Sequence, residues 1–539
     1  VEAVGVRDPE SVVVAFYAST DTGITTSDHY LGEVSLGFSV NTSMLVTFDC
    51  ILPTDLPAGT YYVGWIIDPW NTESEADESN NTAFNQTSSL VVALGRVPSI
   101  FYVDARAHGA NNGSSWADAF WYLQDALAAA DSEDQIRMAA GVYTPDRKTG
   151  LARGDRQATF KLKTGVTLMG GYAGTGAPDP DARDTQVWPT VLSGDLNGDD
   201  SAGADPCTLW IDASRMDNSR HVVTAYYVDR TTVLDSVRIV GGRADEWFMG
   251  SGSQREPRGG GMYITGGGPR LRNCTFSGNW AGTDGGAIYV TEGSPELLDC
   301  TLWGNAAGSG ERQGSGGAVS VANGSLALIN CSLNGNCSCG SGGAVVIGPN
   351  SSLSAANCCF HANHAEVQAG AIYTLDSQAV LVNCTLADNR QDGNPDAIVH
   401  ESSGSSAKRE LRITNCILWN QGHEIASPGD SFITVASSDL RGGWFGVGSI
   451  DADPRFVDPN GADELPGTED DDLRLGPDSP CIDAASTAAL PRDLADLDTD
   501  GDTLEPLPLD RAGAERVVGG AVDMGAYEVQ PPEELHPSE

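Results

Sequence analysis

One cysteine and one asparagine recur in register through the middle of this chain. The stretch GGMYITGGGPRLRNCTFSGN, ending at Asn279, is followed by GGAIYVTEGSPELLDCTLWGN (285–305) and GGAVSVANGSLALINCSLNGN (316–336). Then come GGAVVIGPNSSLSAANCCFHAN (342–363), AGAIYTLDSQAVLVNCTLADN (369–389) and a worn copy, LRITNCILWN, ending at Asn420. A fixed period of 26 to 32 residues constrains the fold more than any local propensity does.

Each copy reads as two short strands. AIYV or AVVI, β-branched or aromatic, follows a Gly-Gly pair, and L-x-N-C-T-L places Cys and the next Leu on one face. Gly, Ser, Pro and Asn separate the strands, as turns require. No stretch inside the unit has helical period, so helix-pair repeats are excluded. Propeller blades need four strands and about 40 residues, more than these units hold. The fold expected is a right-handed parallel β-helix, a single-stranded solenoid whose coils stack about 4.8 Å apart. Stacking then explains the register. Cys274, Cys300, Cys331, Cys358, Cys384 and Cys416 become a column of small apolar core residues. Asn279, Asn305, Asn336, Asn363, Asn389 and Asn420 become a ladder of amides hydrogen-bonded from coil to coil.

The 539 residues leave room for further domains. SVVVAFYAST, YLGEVSLG, SMLVTFDCILP and GTYYVGWIIDP alternate apolar and polar, which predicts an antiparallel β-sandwich over residues 1–95. Residues 96–150 read as linker and N-terminal cap. There Ser115 caps a predicted helix to about Ala130, with Ala119, Leu123, Ala126 and Leu127 on one face over the first coil. The β-helix is expected over 151–450, a C-terminal cap module over 451–530 and a polar tail over 531–539.

VAFYASTDTGITTSDHYLGE and LPAGTYYVGWIIDPWNTESEADESNN resemble the cell-adhesion-related bacterial domain CARDB, an immunoglobulin-like module, over Val12 to Asn81. That family carries about two more strands before the VAFY strand than this chain has room for. GSSWADAF, LQDAL, AAGVYTP, FKLKTGVTLMGGYAGT and VLSGDLNGDD resemble a family of secreted β-helix proteins of planctomycete-like bacteria, of the choice-of-anchor type. The resemblance covers most of residues 100–530 and ends in DADPRFVDP, DDLRLGPDSPCIDAAS and VDMGAYE, like the module that precedes a surface anchor. It implies a secreted, cell-surface protein and no particular reaction.

The net charge of −43, from 74 acidic and 31 basic residues, argues against a nucleic-acid partner and suits a calcium-containing medium. No apolar run reaches about 18 residues, so no membrane span is expected. The chain begins at Val1 without a signal-like segment and reads as a mature chain or a fragment. Enzymes occur on this fold, but fold does not settle function. The paired carboxylates of polygalacturonase-like enzymes, the calcium-binding Asp and arginine base of pectate lyases and the Asp-Pro-His of alginate epimerases are not found in the repeats. No catalytic residue is assigned.

Metal-binding patterns are more informative. DLDTDGD places Asp496, Asp498, Asp500 and Asp502 at alternating positions around a turn glycine, like the first half of an EF-type loop. Position twelve is Leu507, so it is not a full EF-hand. DLNGDD repeats the pattern with Asp195, Asn197 and Asp199. Both point to structural Ca2+, against the bland alternative of solvated acidic turns. In HANH, His361 and His364 have metal-ligand spacing with Glu366 nearby, but no cysteine is expected to face them, so exposed turn histidines are the expectation. Cys337 and Cys339 form a redox or metal pair, a local disulfide, or two free thiols.

The sequence therefore favours a non-enzymatic extracellular structural or adhesive protein. Its expected partners are surface glycans or other copies of itself, joined head to tail by strand addition at the incomplete sandwich. The alternative is a polysaccharide-binding or polysaccharide-degrading enzyme of β-helix type.

Overall fold

The computed structural model describes residues 2–3, 12–36, 42–43, 53, 56–70, 81–85, 89–92, 97–148, 150, 152–201, 203, 205–245, 257–310, 312–393, 396–403, 409–429, 431–468 and 470–531. The chain divides into two compact units, Val1–Val97 and Pro98–Glu539.

The second unit is a parallel β-helix. The middle coils carry four short strands where the sequence suggested two: in one coil Ile288–Gly293, Glu296–Leu298, Thr301–Trp303 and Ala306–Ser309. Among the described residues, the first face has nine strands, the second eleven and the third ten, all parallel. The fourth runs from Arg243–Ala244 to Arg390–Gln391. The extra corners come from residues in the left-handed region. In L-x-N-C-T-L the residue before Cys bends the chain: Asn273, Asp299, Asn330, Asn357, Asn383 and Asn415 have φ between 47° and 57°. Asn and Asp tolerate this conformation better than other side chains. A second corner precedes the first five ladder asparagines, at Gly278, Gly304, Gly335, Ala362 and Asp388. In the Gly-Gly pair the second glycine answers to close packing instead, since a Cβ on Gly286 would lie 2.3 Å from the carbonyl oxygens of Ala306 and Gly317.

In-register pairing turns each inward position into a column. On the third face it runs Leu192, Ile239, Phe276, Leu302, Leu333, Phe360, Leu386, Leu418 and Leu440. The six repeat cysteines are all buried free thiols in the same core, as expected. Their S–H groups donate to carbonyls: Cys300 Sγ lies 3.3 Å from Leu298 O.

The asparagine ladder is continuous. Nδ2 of Asn279, Asn305, Asn336, Asn363 and Asn389 donates to Oδ1 of the next asparagine at 2.8–3.0 Å. The same Nδ2 groups also donate to a main-chain carbonyl of the preceding coil, such as Leu302 O from Asn336. Each acceptor Oδ1 takes a backbone N–H as well. The amides thus satisfy main-chain groups that the corner at each ladder asparagine would otherwise bury unpaired.

The helix over the first coil spans Leu123–Ala129, with Leu123, Ala126 and Leu127 buried, and starts later than Ser115. The reason is that Phe120 pairs as a strand residue with Tyr102 and Asp104. Ser115 Oγ instead accepts from Asp118 N and caps a turn. At the other end, residues 451–531 lie along the third face: Arg511 donates to Ser332 Oγ, Asn357 to Leu509 O, Ala526 N to Thr385 Oγ1, and Asn415 exchanges two bonds with Ser486.

The first unit is antiparallel. Its sheet order is His29–Leu36, Val12–Ser19, Gly59–Ile67, Thr82–Phe84, with Leu90–Val92 on the start of Gly59–Ile67. The central strand buries Ala15 and Tyr17 in one cluster and Ala18 in another, in keeping with the expected immunoglobulin-like sandwich. Most of the SMLVTFDCILP strand lies outside the described residues; Thr42–Ser43 pairs with Glu2–Ala3.

Candidate metal centre

The loop 493–505 is closed by backbone bonds between Asp493 and Glu505 and between Leu507 and Pro491. Inside it, each aspartate accepts a main-chain N–H a few residues ahead: Asp496 from Gly501, Asp498 from Asp500, Asp500 from Asp502. These turns gather carboxylates. Asp496, Asp498 and Asp500 offer oxygens within 4.8 Å of one another, and so do Asp493, Asp498 and Glu505. Asp498 belongs to both groups; Asp502 belongs to neither.

Asp493 and Glu505 were not read from the sequence, because they flank the alternating pattern instead of extending it. Asp493 is fully buried; its Oδ2 accepts from Leu497 N, but its Oδ1 has no hydrogen-bond partner, nor has Oε1 of Glu505. Burial, together with the charges of Asp498 and Asp496, raises the Asp493 pKa. Burial and then repulsion from Asp498, Asp500 and Asp502 raise that of Glu505. Among the described residues, none of these five carboxylates has an ion pair. Two shielded acceptor oxygens, on Asp493 and Glu505, beside mutually repelling aspartates without a paired cationic side chain fit a hard divalent ion that takes six to eight oxygen ligands.

The loop at 195–200 behaves similarly but with different residues. Asp195 and Asp199 come together with Asp217, whose Oδ2 is shielded and unpartnered. Asp195 is largely used in turn formation, accepting from Gly198, Asp199 and Asp200.

The two histidines of HANH part company, and neither is an exposed turn residue. His361 is buried, with Nδ1 3.1 Å from Asp471 Oδ2 and Nε2 3.6 Å from Asp388 Oδ2. Burial opposes its charging, but the two carboxylates outweigh burial and raise its pKa. It therefore ties the segment at Asp471 to the third face. His364, contrary to expectation, does face cysteine: Cys337 is bridged not locally but to Cys207, 130 residues away, and His364 lies against that bridge. Cys339 is a buried free thiol whose pKa is pushed up to about 12 by burial and then by Glu366.

A shallow groove of about 640 Å³ crosses the corner between the first and second faces, lined by Asp229, Arg230, Glu292, Glu296, Ser325 and Gln378 among others. Its charges are largely spoken for. Glu296 Oε2 accepts from Arg270 at 2.7 Å and lies 3.5 Å from Arg230, and Asp229 accepts from Thr231.

No family model and no curated protein matches the chain. Among solved structures, the chain is similar to pectate lyase Pel9A at 14% identity and a TM-score of 0.39, over 81% of this chain and 97% of that one.

Proposed function

We propose that this protein is an extracellular structural or adhesive β-helix, stabilised by Ca2+ and able to engage polysaccharide, and that it does not turn polysaccharide over. The observation that carries this reading is the use made of buried polar groups. The asparagines complete the scaffold, and the groove's Glu296 is held between Arg270 and Arg230. A general acid–base pair needs two carboxyl groups free to exchange protons across a bond; here the central one is neutralised. Ca2+ held by Asp493, Asp496, Asp498, Asp500 and Glu505 would fix the loop that otherwise concentrates negative charge. Secretion and a cell-surface location fit the acidic composition and the family resemblance.

The test is incubation with a panel of acidic and neutral polysaccharides in calcium. Retention on some glycans without new reducing or unsaturated ends is the expected outcome. Release of either kind of end, lost on Glu296→Gln or Arg230→Ala, would establish the enzymatic alternative instead. That second reading is favoured by one feature, the pairing of two arginines with an acid in a solvent-open groove.

A further inference from the structure

The Cys207–Cys337 bridge and His364 come from three separate places in the chain. Cys207 is the second residue of the 3-10 turn Pro206–Ile211, where its N–H is held by Asp205. Cys337 opens the fourth-face strand Cys337–Ser338, and His364 is its in-register neighbour on the next coil. Parallel neighbours in register point their side chains the same way, so the imidazole rises beside the sulfur. His364 Nδ1 lies 3.4 Å from Cys207 Sγ and 3.7 Å from Cys337 Sγ. Its other nitrogen, Nε2, is 2.9 Å from Asp392 Oδ1. That contact places the proton on Nε2 and leaves the Nδ1 lone pair aimed at the sulfurs. A disulfide has no proton to give it.

We propose that these residues form a redox-gated transition-metal site, closed as a disulfide and able, as a dithiol, to take a Zn2+-like ion on Cys207, Cys337 and His364. A tetrahedral zinc with Zn–S of about 2.3 Å and Zn–N of about 2.05 Å separates sulfur from nitrogen by about 3.6 Å. The two observed separations bracket that value. Asp392 supplies the outer carboxylate that metal-bound histidines commonly have. The fourth position is left to water or an exogenous ligand.

The turn carrying Cys207 does not depend on the bridge for its position. Leu209 packs with Trp280 and Ala306, and Arg243 donates to the carbonyls of Leu209 and Trp210. Opening the bridge therefore leaves both sulfurs near His364. Opening requires an external dithiol, which donates two electrons and two protons, is itself oxidised to its disulfide, and leaves two protein thiols. Metal binding then releases those two protons to solvent.

Co2+ is a suitable probe, because thiolate ligation gives a sulfur-to-cobalt charge-transfer band that carboxylate loops cannot produce. Full-length protein is reduced, desalted without oxygen and titrated with Co2+; a second sample is left oxidised. The expected result is one equivalent of cobalt with the charge-transfer band in the reduced protein and none in the oxidised one. His364→Gln, which keeps the bridge and so controls for folding, should weaken binding at least tenfold, and Asp392→Asn about tenfold. Zn2+ should displace the cobalt and abolish the band. A reduced protein without the band, or an equal band in Cys207→Ser or His364→Gln, overturns the proposal.

Discussion

Glu424 accepts two of the hydrogens of Asn420 at the end of the asparagine ladder, the third going to Leu386 O. Its Oε1 accepts from Asn420 N at 2.8 Å and its Oε2 from Asn420 Nδ2 at 2.6 Å. Within the ladder one amide oxygen receives both donors; at the last coil a buried carboxyl group replaces it. Burial pushes the Glu424 pKa up to about 7, against the lowering pull of Asn420 and Arg441. Glu528, beside buried Arg516, is also raised to about 7, chiefly by burial.

A raised carboxyl pKa stabilises the fold while the group is protonated. The contribution is fully present below the ordinary value of 4.5 and is lost as pH rises to about 7. For Glu424 the full swing is about 3 kcal/mol. Denaturant unfolding should therefore give higher stability at pH 5 than at pH 8, and Glu424→Gln should flatten the slope. A profile that is level or rises across this interval contradicts the assignment.

Asn336→Ala in the middle of the ladder strips Asn305 N and Nδ2 of their acceptor and Leu302 O and Asn363 Oδ1 of a donor. Each buried group left unpaired costs about 1–3 kcal/mol. The loss should reach several kcal/mol in chemical denaturation, enough to lower the midpoint clearly. Asn336→Asp keeps the acceptor and, protonated at low pH, one O–H donor, so it should be intermediate there; ionised at high pH it has no donor and buries a charge, and should be worst.

How much of this was legible beforehand differs by residue. The cysteine column and the ladder were readable because stacking forces a core position and an amide position to recur. The corner before each cysteine was not: the asparagine or aspartate there looks like a strand residue until its φ of about 50° is known. Asn330, Asn357 and Asn383 even make their own short ladder, Nδ2 to Oδ1 at 3.1 and 3.2 Å. Asp496, Asp498 and Asp500 were marked by alternation, whereas Asp493, Glu505 and Asp217 converge through loop closure, which leaves no periodic trace. The Cys207–Cys337 pairing, spanning 130 residues, has no local signal at all.

Calcium should raise the melting temperature, since binding only the folded state shifts unfolding by mass action. Asp498→Asn should remove most of the effect because its carboxylate serves both groups of the loop. Asp502→Asn should leave most of it intact. Differential scanning calorimetry in chelator and in millimolar calcium, at matched ionic strength, decides the matter. An unchanged melting temperature would reduce the loop to a solvated turn.

The repeat cysteines should titrate as thiols once the chain is unfolded without reductant. Neighbouring coils are parallel, so stacked side chains point the same way instead of toward each other, a poor arrangement for bridging. At least nine thiols are expected, the six of the column with Cys339, Cys359 and Cys481, while Cys207 and Cys337 stay silent until reduced. Fewer than six would mean that the coil register is wrong.

Self-assembly makes the sharpest demand on the first unit. Among its described residues the eight-residue strand His29–Leu36 lies at the sheet edge and pairs only with Val12–Ser19. Such an edge offers unpaired N–H and C=O groups to a strand from another copy, and a head-to-tail contact of that kind propagates. In an antiparallel pair, successive N–H groups face alternately toward and away from the partner. Proline at Glu33 and proline at Val34 should therefore act differently. One removes an inward hydrogen bond and destabilises the unit; the other removes an outward donor and blocks strand addition while the unit stays folded. Sedimentation and negative-stain microscopy should show polymers of the unaltered chain in calcium, and monomers for only one folded proline variant. If the unaltered chain stays monomeric at every concentration and calcium level, the edge strand does not join copies.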